Sequence, residues 1–271
     1  MLIDELLALH QCEIGRVLGT GKAVGPHEAV LAELPVDLLL NHAAELVLRT
    51  AETWFFAHGD AASYLRFGER LPGRAVGPLL AYSLAFAAAL CGDQARVNHW
   101  LDACEVRGTA ETVMTGWHSF RSAVLTVRAG FGMSDAEAAR SVALARQALE
   151  LETAGDVTAH PHVPATLGGV LARDGRFDEA AALLLDVWQQ RHRGSWPLWT
   201  VMAVAGMLTV SLVEAGRGEE CDRVLREAGP TADAAEREGR EASTPGLAAL
   251  RIAAGRRGYL HADMEGAAVL L

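Results

Sequence analysis

Excess positive charge is the first thing this chain lacks. Its 271 residues carry 24 Lys and Arg against 34 Asp and Glu, a formal net charge of −10. A nucleic-acid-binding surface concentrates cations to neutralise phosphates. The longest basic stretches here are Arg191-His192-Arg193 and Arg256-Arg257, so direct nucleic-acid binding by this segment is not expected. Aromatic residues are only 6% of the chain. Val, Ile, Thr and Tyr never form alternating runs, which argues against a sheet. The four cysteines, Cys12, Cys91, Cys104 and Cys221, form no CxxC pair and match no zinc spacing. They read as small buried thiols in a reducing compartment. The first ten residues hold Asp4 and Glu5 and no basic start, unlike a signal peptide, so the expected location is the cytoplasm. One long uncharged run exists, from Gly194 to Val213. Its first residues read as a loop and helix start, leaving too short an apolar core for a bilayer. The expected element is an interior helix, apolar on all sides and sandwiched between neighbours.

What is abundant is apolar and helix-forming. Hydrophobic residues make up 51% of the chain, with Ala and Leu dominant, a composition that favours helix. The phrase "ARDGRFDEAAALLLDVW" at 172–188 has relatives at Phe56, Ala89, Val213 and Ile252. Aligning the turn glycines Gly59, Gly92, Gly132, Gly175, Gly216 and Gly255 gives intervals of 33, 40, 43, 41 and 39 residues. Each interval has room for two helices and two short connections, the signature of stacked helical hairpins.

The local patterns agree. Phe177, Ala180, Ala181, Leu184, Val187 and Trp188 share one helical face, while Asp178, Glu179, Asp186 and Gln189 point elsewhere. Ser134 and Glu137 form a capping-box pair ahead of the apolar positions Ala138, Val142, Ala145 and Leu149. Pro78 opens one helix, Pro197 stands near the start of another, and Ser243 or Thr244 with Pro245 opens a third. A helix over "VMTGWHSFRSAVLTVRAG" runs to Gly130, and one over "VPATLGGVLARDG" runs to Gly175. The predicted architecture is all-α: a superhelical array of antiparallel helix hairpins with a period of about 40 residues. Residues 1–59 read as an irregular N-terminal helical unit, with a long helix after Pro35, and 60–271 as the repeats.

Three segments carry the resemblance to a known family: "AELVLRTAETWFFAHGDAASYLRFGERLPG" at 44–73, "LLAYSLAFAAALCGDQARVNHWLDACE" at 79–105, and "ARSVALARQALEL" with "LGGVLARDGRFDEAAALLLDVW" after it. Over roughly residues 36 to 260 the chain resembles the tetratricopeptide-like superhelical domain of the MalT-type, LuxR-family ATP-dependent bacterial transcription regulators. It departs from their full pattern. The phosphate-loop-like "GTGKAVG" at 19–25 has Ala23 where Ser or Thr is needed and Arg16 where the first glycine belongs. No helix-turn-helix is present. The resemblance implies a sensor that binds an inducer or partner and relays its occupancy.

Motifs for chemistry are sparse. His160-Pro161-His162 puts two imidazoles on one side of an extended segment, but no third ligand accompanies them. No nucleophile elbow occurs, and Ser119, Ser122 and Ser211 lie in predicted helices. Neither an enzyme nor a cofactor or metal site is expected. Binding is the better expectation. In stacked hairpins the first helix of each pair lines the concave wall. The large side chains there are Tyr82, Phe86, Trp117, His118, Arg121, His162, Trp199 and Met202. Of these, Tyr82, Trp117, His118, Arg121, His162, Trp199 and Met202 are the candidate ligand contacts, for a small effector or a protein segment. Arg121 is the foremost polar candidate, because it lies one helical turn from Trp117 and both share a face. Homo-oligomer formation stays open. The rival readings are a stand-alone protein–protein scaffold and a helical enzyme whose site no motif reveals.

Overall fold

The computed structural model describes residues 44–45, 47–48, 60–109, 111–114, 116–152, 161–192, 196, 198–239 and 246–260. Among them are ten α-helices and no strand. The helices are α1 (Ala61–Glu69), α2 (Pro78–Leu90), α3 (Gln94–Arg107), α4 (Phe120–Phe131), α5 (Ala138–Leu151), α6 (His162–Arg173), α7 (Phe177–Gln189), α8 (Leu198–Glu214), α9 (Gly218–Arg237) and α10 (Leu247–Leu260). Most of the N-terminal unit, the phosphate-loop-like segment, Cys12, Gly59, His160, Pro197 and Ser243 to Pro245 lie outside the described residues.

Consecutive helices pair: α2 with α3, α4 with α5, α6 with α7, and α8 with α9. The first helix of each pair also packs on the first helix of the next, α2 on α4, α4 on α6, α6 on α8 and α8 on α10. Burial follows the patterning. Ala180, Ala181, Leu184, Val187 and Trp188 are buried on α7, while Asp178, Glu179, Asp186 and Gln189 are exposed. Helix α8 is the predicted uncharged run, packed by α6, α7, α9 and α10. Among the described residues no helix is long and apolar enough to cross a membrane.

Three of the predicted elbows share one hydrogen-bond pattern. Gly92, Gly175 and Gly216 have φ of 70°, 75° and 70°. The residue after each glycine donates its N–H back to a carbonyl five positions earlier: Asp93 to Ala88 at 3.0 Å, Arg176 to Leu171 at 2.9 Å and Arg217 to Leu212 at 2.8 Å. This is the Schellman closure, whose left-handed residue favours glycine. The following helix start then takes one of two forms. Asp93 caps α3 by accepting from the Arg96 N–H at 3.0 Å. Arg176 and Arg217 instead fork onto Glu179 at 2.7 and 2.6 Å and onto Glu220 at 2.7 and 2.7 Å.

Two predicted elbows differ. Gly132 has a φ of −84° and closes α4 in an ordinary helical conformation. A β-carbon there would meet the Arg128 carbonyl at 2.8 Å and Asn98 Oδ1 at 2.8 Å, so close approach rather than φ requires the glycine. The next helix starts with the predicted capping box, in which the Glu137 carboxylate accepts from the Ser134 N–H at 3.2 Å and hydroxyl at 2.9 Å. Gly255 is no elbow at all. It is buried in the middle of α10, which continues to Leu260. The flanking "AAGRRG" mimics the elbow wording, but the helix continues because tertiary packing on α8 overrides a single glycine's weak propensity.

Carboxylates at these starts, and Glu236 at the end of α9, titrate below their ordinary range. Bonds from Ser134 hold Glu137 down, and hydrogen-bonded arginines do the same for Glu179, Glu220 and Glu236, through Arg176, Arg217 and Arg251 respectively. A depressed carboxylate stabilises the fold above its unfolded value, about 4.3 for Glu, and the contribution is lost as pH falls through the folded value. The melting temperature is expected to be flat between pH 6 and 8 with respect to these groups. It should fall as pH drops below about 4.5, more gently in high salt, where exposed pairs are screened. A differential scanning calorimetry series in pH and NaCl checks this; a melting temperature insensitive to pH between 5 and 3 would contradict it.

Candidate functional site

The candidate residues lie around the starts of α4, α6 and α8 and on α2. Ser119 begins α4 by accepting from the Ser122 N–H at 3.3 Å. The chain reaches it through a turn in which the Trp117 N–H donates to the Met114 carbonyl at 3.0 Å. Trp117 therefore stands ahead of the helix, and the expectation that it shares a helical face with Arg121 does not hold. The cause is local: Gly116 takes a φ of 85°, and Ser119 offers a better cap than any earlier residue. Ser119 is likewise a cap rather than an interior helical serine.

The turn brings Trp117 onto His162, the first residue of α6. The two rings stack with an interplanar angle of 14° and centroids 6.3 Å apart. His162 also stacks on Trp199, in the first turn of α8, at 4.9 Å and 9°. Phe86 of α2 completes the cluster, tilted against Trp199 at 5.9 Å. Four segments far apart in sequence thus place aromatic rings in one group. Such pairs contribute about 0.5–1.5 kcal/mol each beyond the apolar area they cover. Trp117 also packs along Leu125, Ala148 and Val163, so the stack is rooted in the core. Trp117, His162 and Trp199 themselves are half-buried.

The other candidates fall around this group or away from it. Tyr82 is half-buried and sets its ring edge-on to Phe120 at 6.2 Å. Burial pushes its phenol well above the ordinary tyrosine range, with the Cys104 thiol adding to the shift, so the ring is neutral and an apolar wall. His118 and Arg121 are exposed. Met202 is fully buried at 0% exposure within the core between α7, α8 and α9, so it has no surface to offer a ligand. Its position on α8 is set by that helix being surrounded on all sides.

Glu152 matches no motif and is not among the candidate residues. It follows α5 and is 9% exposed. Its Oε2 accepts the His118 N–H at 3.1 Å, the residue next to Trp117. Its Oε1 is buried with no hydrogen-bond partner among the described residues. Leaving a buried polar atom unmatched costs about 1–3 kcal/mol, more for a charge. An acid at a helix C-terminus, where the dipole favours cations, is the one sequence signal that marks the position. Thr200 Oγ1, beside Trp199, is likewise buried with no hydrogen-bond partner among the described residues.

Among the described residues no three His, Cys, Asp or Glu side chains gather to hold a metal ion, and His160 lies outside them. Of the described cysteines, Cys104 and Cys221 are buried, and burial pushes their thiols up to about 12 and about 11. Cys91, expected to be buried, is exposed at the α2–α3 elbow, because helix closure at Gly92 turns the residue capping α2 outward. Iodoacetamide at pH 8 is expected to label Cys91 in the native protein and to reach Cys104 and Cys221 only after unfolding. Peptide mass mapping reads the outcome, and native labelling of Cys221 ahead of Cys91 would contradict it.

No protein-family model matches this sequence, and no curated protein matches it.

Proposed function

We propose that this chain is a tetratricopeptide-like superhelical binding domain that senses a small effector or a protein segment in its concave groove. On this reading it is non-enzymatic, cytoplasmic and part of a bacterial transcription regulator of the MalT type. The observation that carries the binding role is the meeting of Phe86, Trp117, His162 and Trp199, drawn from four separate segments. Repeated elbows support the array: Gly175 and Gly216 stand 41 residues apart and make the same closure. Packing of each first helix on the next first helix is what a stack with one inner wall requires. An inner wall built from the starts of successive helices responds to an occupant by changing the angle between neighbours, which is how occupancy would reach the ends.

Binding is tested by screening metabolites and peptides for a thermal shift, followed by calorimetry on Trp199→Ala and Arg121→Ala proteins with intact helix content. A ligand whose affinity falls at least tenfold in either variant supports the groove. Ligand binding that neither substitution alters removes it. The regulator setting has a separate test. A reading frame continuing past Leu271 into a basic helix-turn-helix supports it, and a frame encoding unrelated modules on both sides contradicts it.

A further inference from the structure

We propose that the Trp117–His162–Trp199 stack and Glu152 form a binding site for a small organic cation, an ammonium or guanidinium group carried on a flat apolar body. The inference rests on the groove reading and specifies the chemistry of its occupant. Glu152 is nine-tenths buried and uses one carboxylate oxygen to hold the His118 N–H at 3.1 Å. The other oxygen has no donor among the described residues. A carboxylate withdrawn from water is stable when donors or a cation meet both oxygens. The end of α5 adds its own partial negative charge next to this group, so the missing partner is cationic. No described residue supplies it. Arg121, on the first turn of α4, makes no ion pair with Glu152 among the described residues.

The rings complete the preference. Aromatic faces carry negative charge density and attract cations, tryptophan most strongly. Trp117 adjoins the residue that Glu152 holds, and it opens a stack that extends over His162 to Trp199. A cation between Trp117 and Glu152, with a flat body continuing along the rings, answers the acid and the aromatic surface together. A flat anion of the same shape meets Glu152 with repulsion.

The test is calorimetric titration of the full chain with phenethylamine and with phenylacetate, a cation and an anion of matched shape. Phenethylamine is expected to bind at least tenfold more tightly than phenylacetate. Glu152→Gln keeps an acceptor for the His118 N–H and removes the charge, so it should weaken phenethylamine binding at least tenfold. Trp117→Leu should weaken it as well. Circular dichroism and an unchanged melting temperature certify that each variant is folded, and if Trp117→Leu unfolds, Glu152→Gln carries the test alone. Phenylacetate binding as tightly as phenethylamine, with loss in Arg121→Ala, overturns the cation site and leaves the groove reading standing. Binding of neither probe overturns the cation site too, and the groove is then judged by the metabolite and peptide screen.

Discussion

Gly246→Ala is expected to be the most damaging single-methyl change in this protein. Gly246 precedes α10 with a φ of 90°, where an L side chain costs about 1–2 kcal/mol. Its β-carbon would also collide with the Met202 carbonyl and lie 2.6 Å from the Ala203 Cα. Both obstacles are backbone, so no rotamer change relieves them. Overpacking of this kind costs about 1–3 kcal/mol, and the two terms together give about 2–5 kcal/mol. Gly206, on the facing side of α8, stands in the same contact, since a β-carbon there would reach the Gly246 carbonyl and lie 3.0 Å from its Cα. Gly206→Ala, with no adverse φ, is expected to cost less than Gly246→Ala. Gly92→Ala isolates the conformational part, because its φ is 70° and nothing lies within 4 Å of the added carbon. The expected order of melting temperatures is wild type, then Gly92→Ala, then Gly206→Ala, then Gly246→Ala. Equal melting temperatures for Gly246→Ala and Gly92→Ala would remove the claim that α8 and the start of α10 meet backbone to backbone.

Trp188→Ala should destabilise the fold to a similar degree by the opposite route, a cavity. Trp188 is 3% exposed on α7 and belongs to the core shared with α8 and α9. Its Nε1–H donates to Glu227 of α9 at 2.9 Å. Arg191 lies over the ring at 4.0 Å and donates to the same carboxylate at 2.6 Å. Truncating a buried tryptophan costs about 3–5 kcal/mol, and a chain of this size loses about 2–4 °C of melting temperature per kcal/mol. A fall on the order of 10 °C is expected. Trp188→Phe keeps the ring under Arg191 and loses the N–H donor, while Arg191 still meets Glu227, so a loss of about 1 kcal/mol is expected. Thermal melts of the two variants decide the matter. If Trp188→Phe were as damaging as Trp188→Ala, the hydrogen bond rather than the packing would dominate.

Local patterning carried most of the helical layout. The face of α7, the Ser134–Glu137 capping box, Pro78 at the first turn of α2 and the closures at Gly92, Gly175 and Gly216 all depend on residues within a few positions of one another. Such short-range choices are set by propensity, periodicity and cap chemistry. The same logic misplaced Gly255, because an elbow and a glycine inside a well-packed helix have the same wording. It also joined Trp117 to α4, because a run of residues compatible with helix does not reveal which serine will cap it.

The candidate site divides along the same line. Amino-acid type and position nominated Trp117, His162 and Trp199, since large aromatics are rare in an Ala-Leu chain. That they stack on one another, and that Phe86 joins them, depends on how α2, α4, α6 and α8 are set side by side, a relation between residues up to 113 positions apart, from 86 to 199. Met202 shows the reverse, an aromatic neighbour's companion by spacing but a core residue by burial. The burial of Glu152 is not legible from its neighbours, because an acid loses its water only when another segment covers it. By itself, then, the sequence determined that this protein is a succession of helices, amphipathic or wholly apolar, with glycine-closed elbows, since those features cost or gain free energy locally. Only the tertiary structure decided which side chains meet and which polar atoms lose their water, since desolvation and ring stacking exist only between segments that the fold brings together.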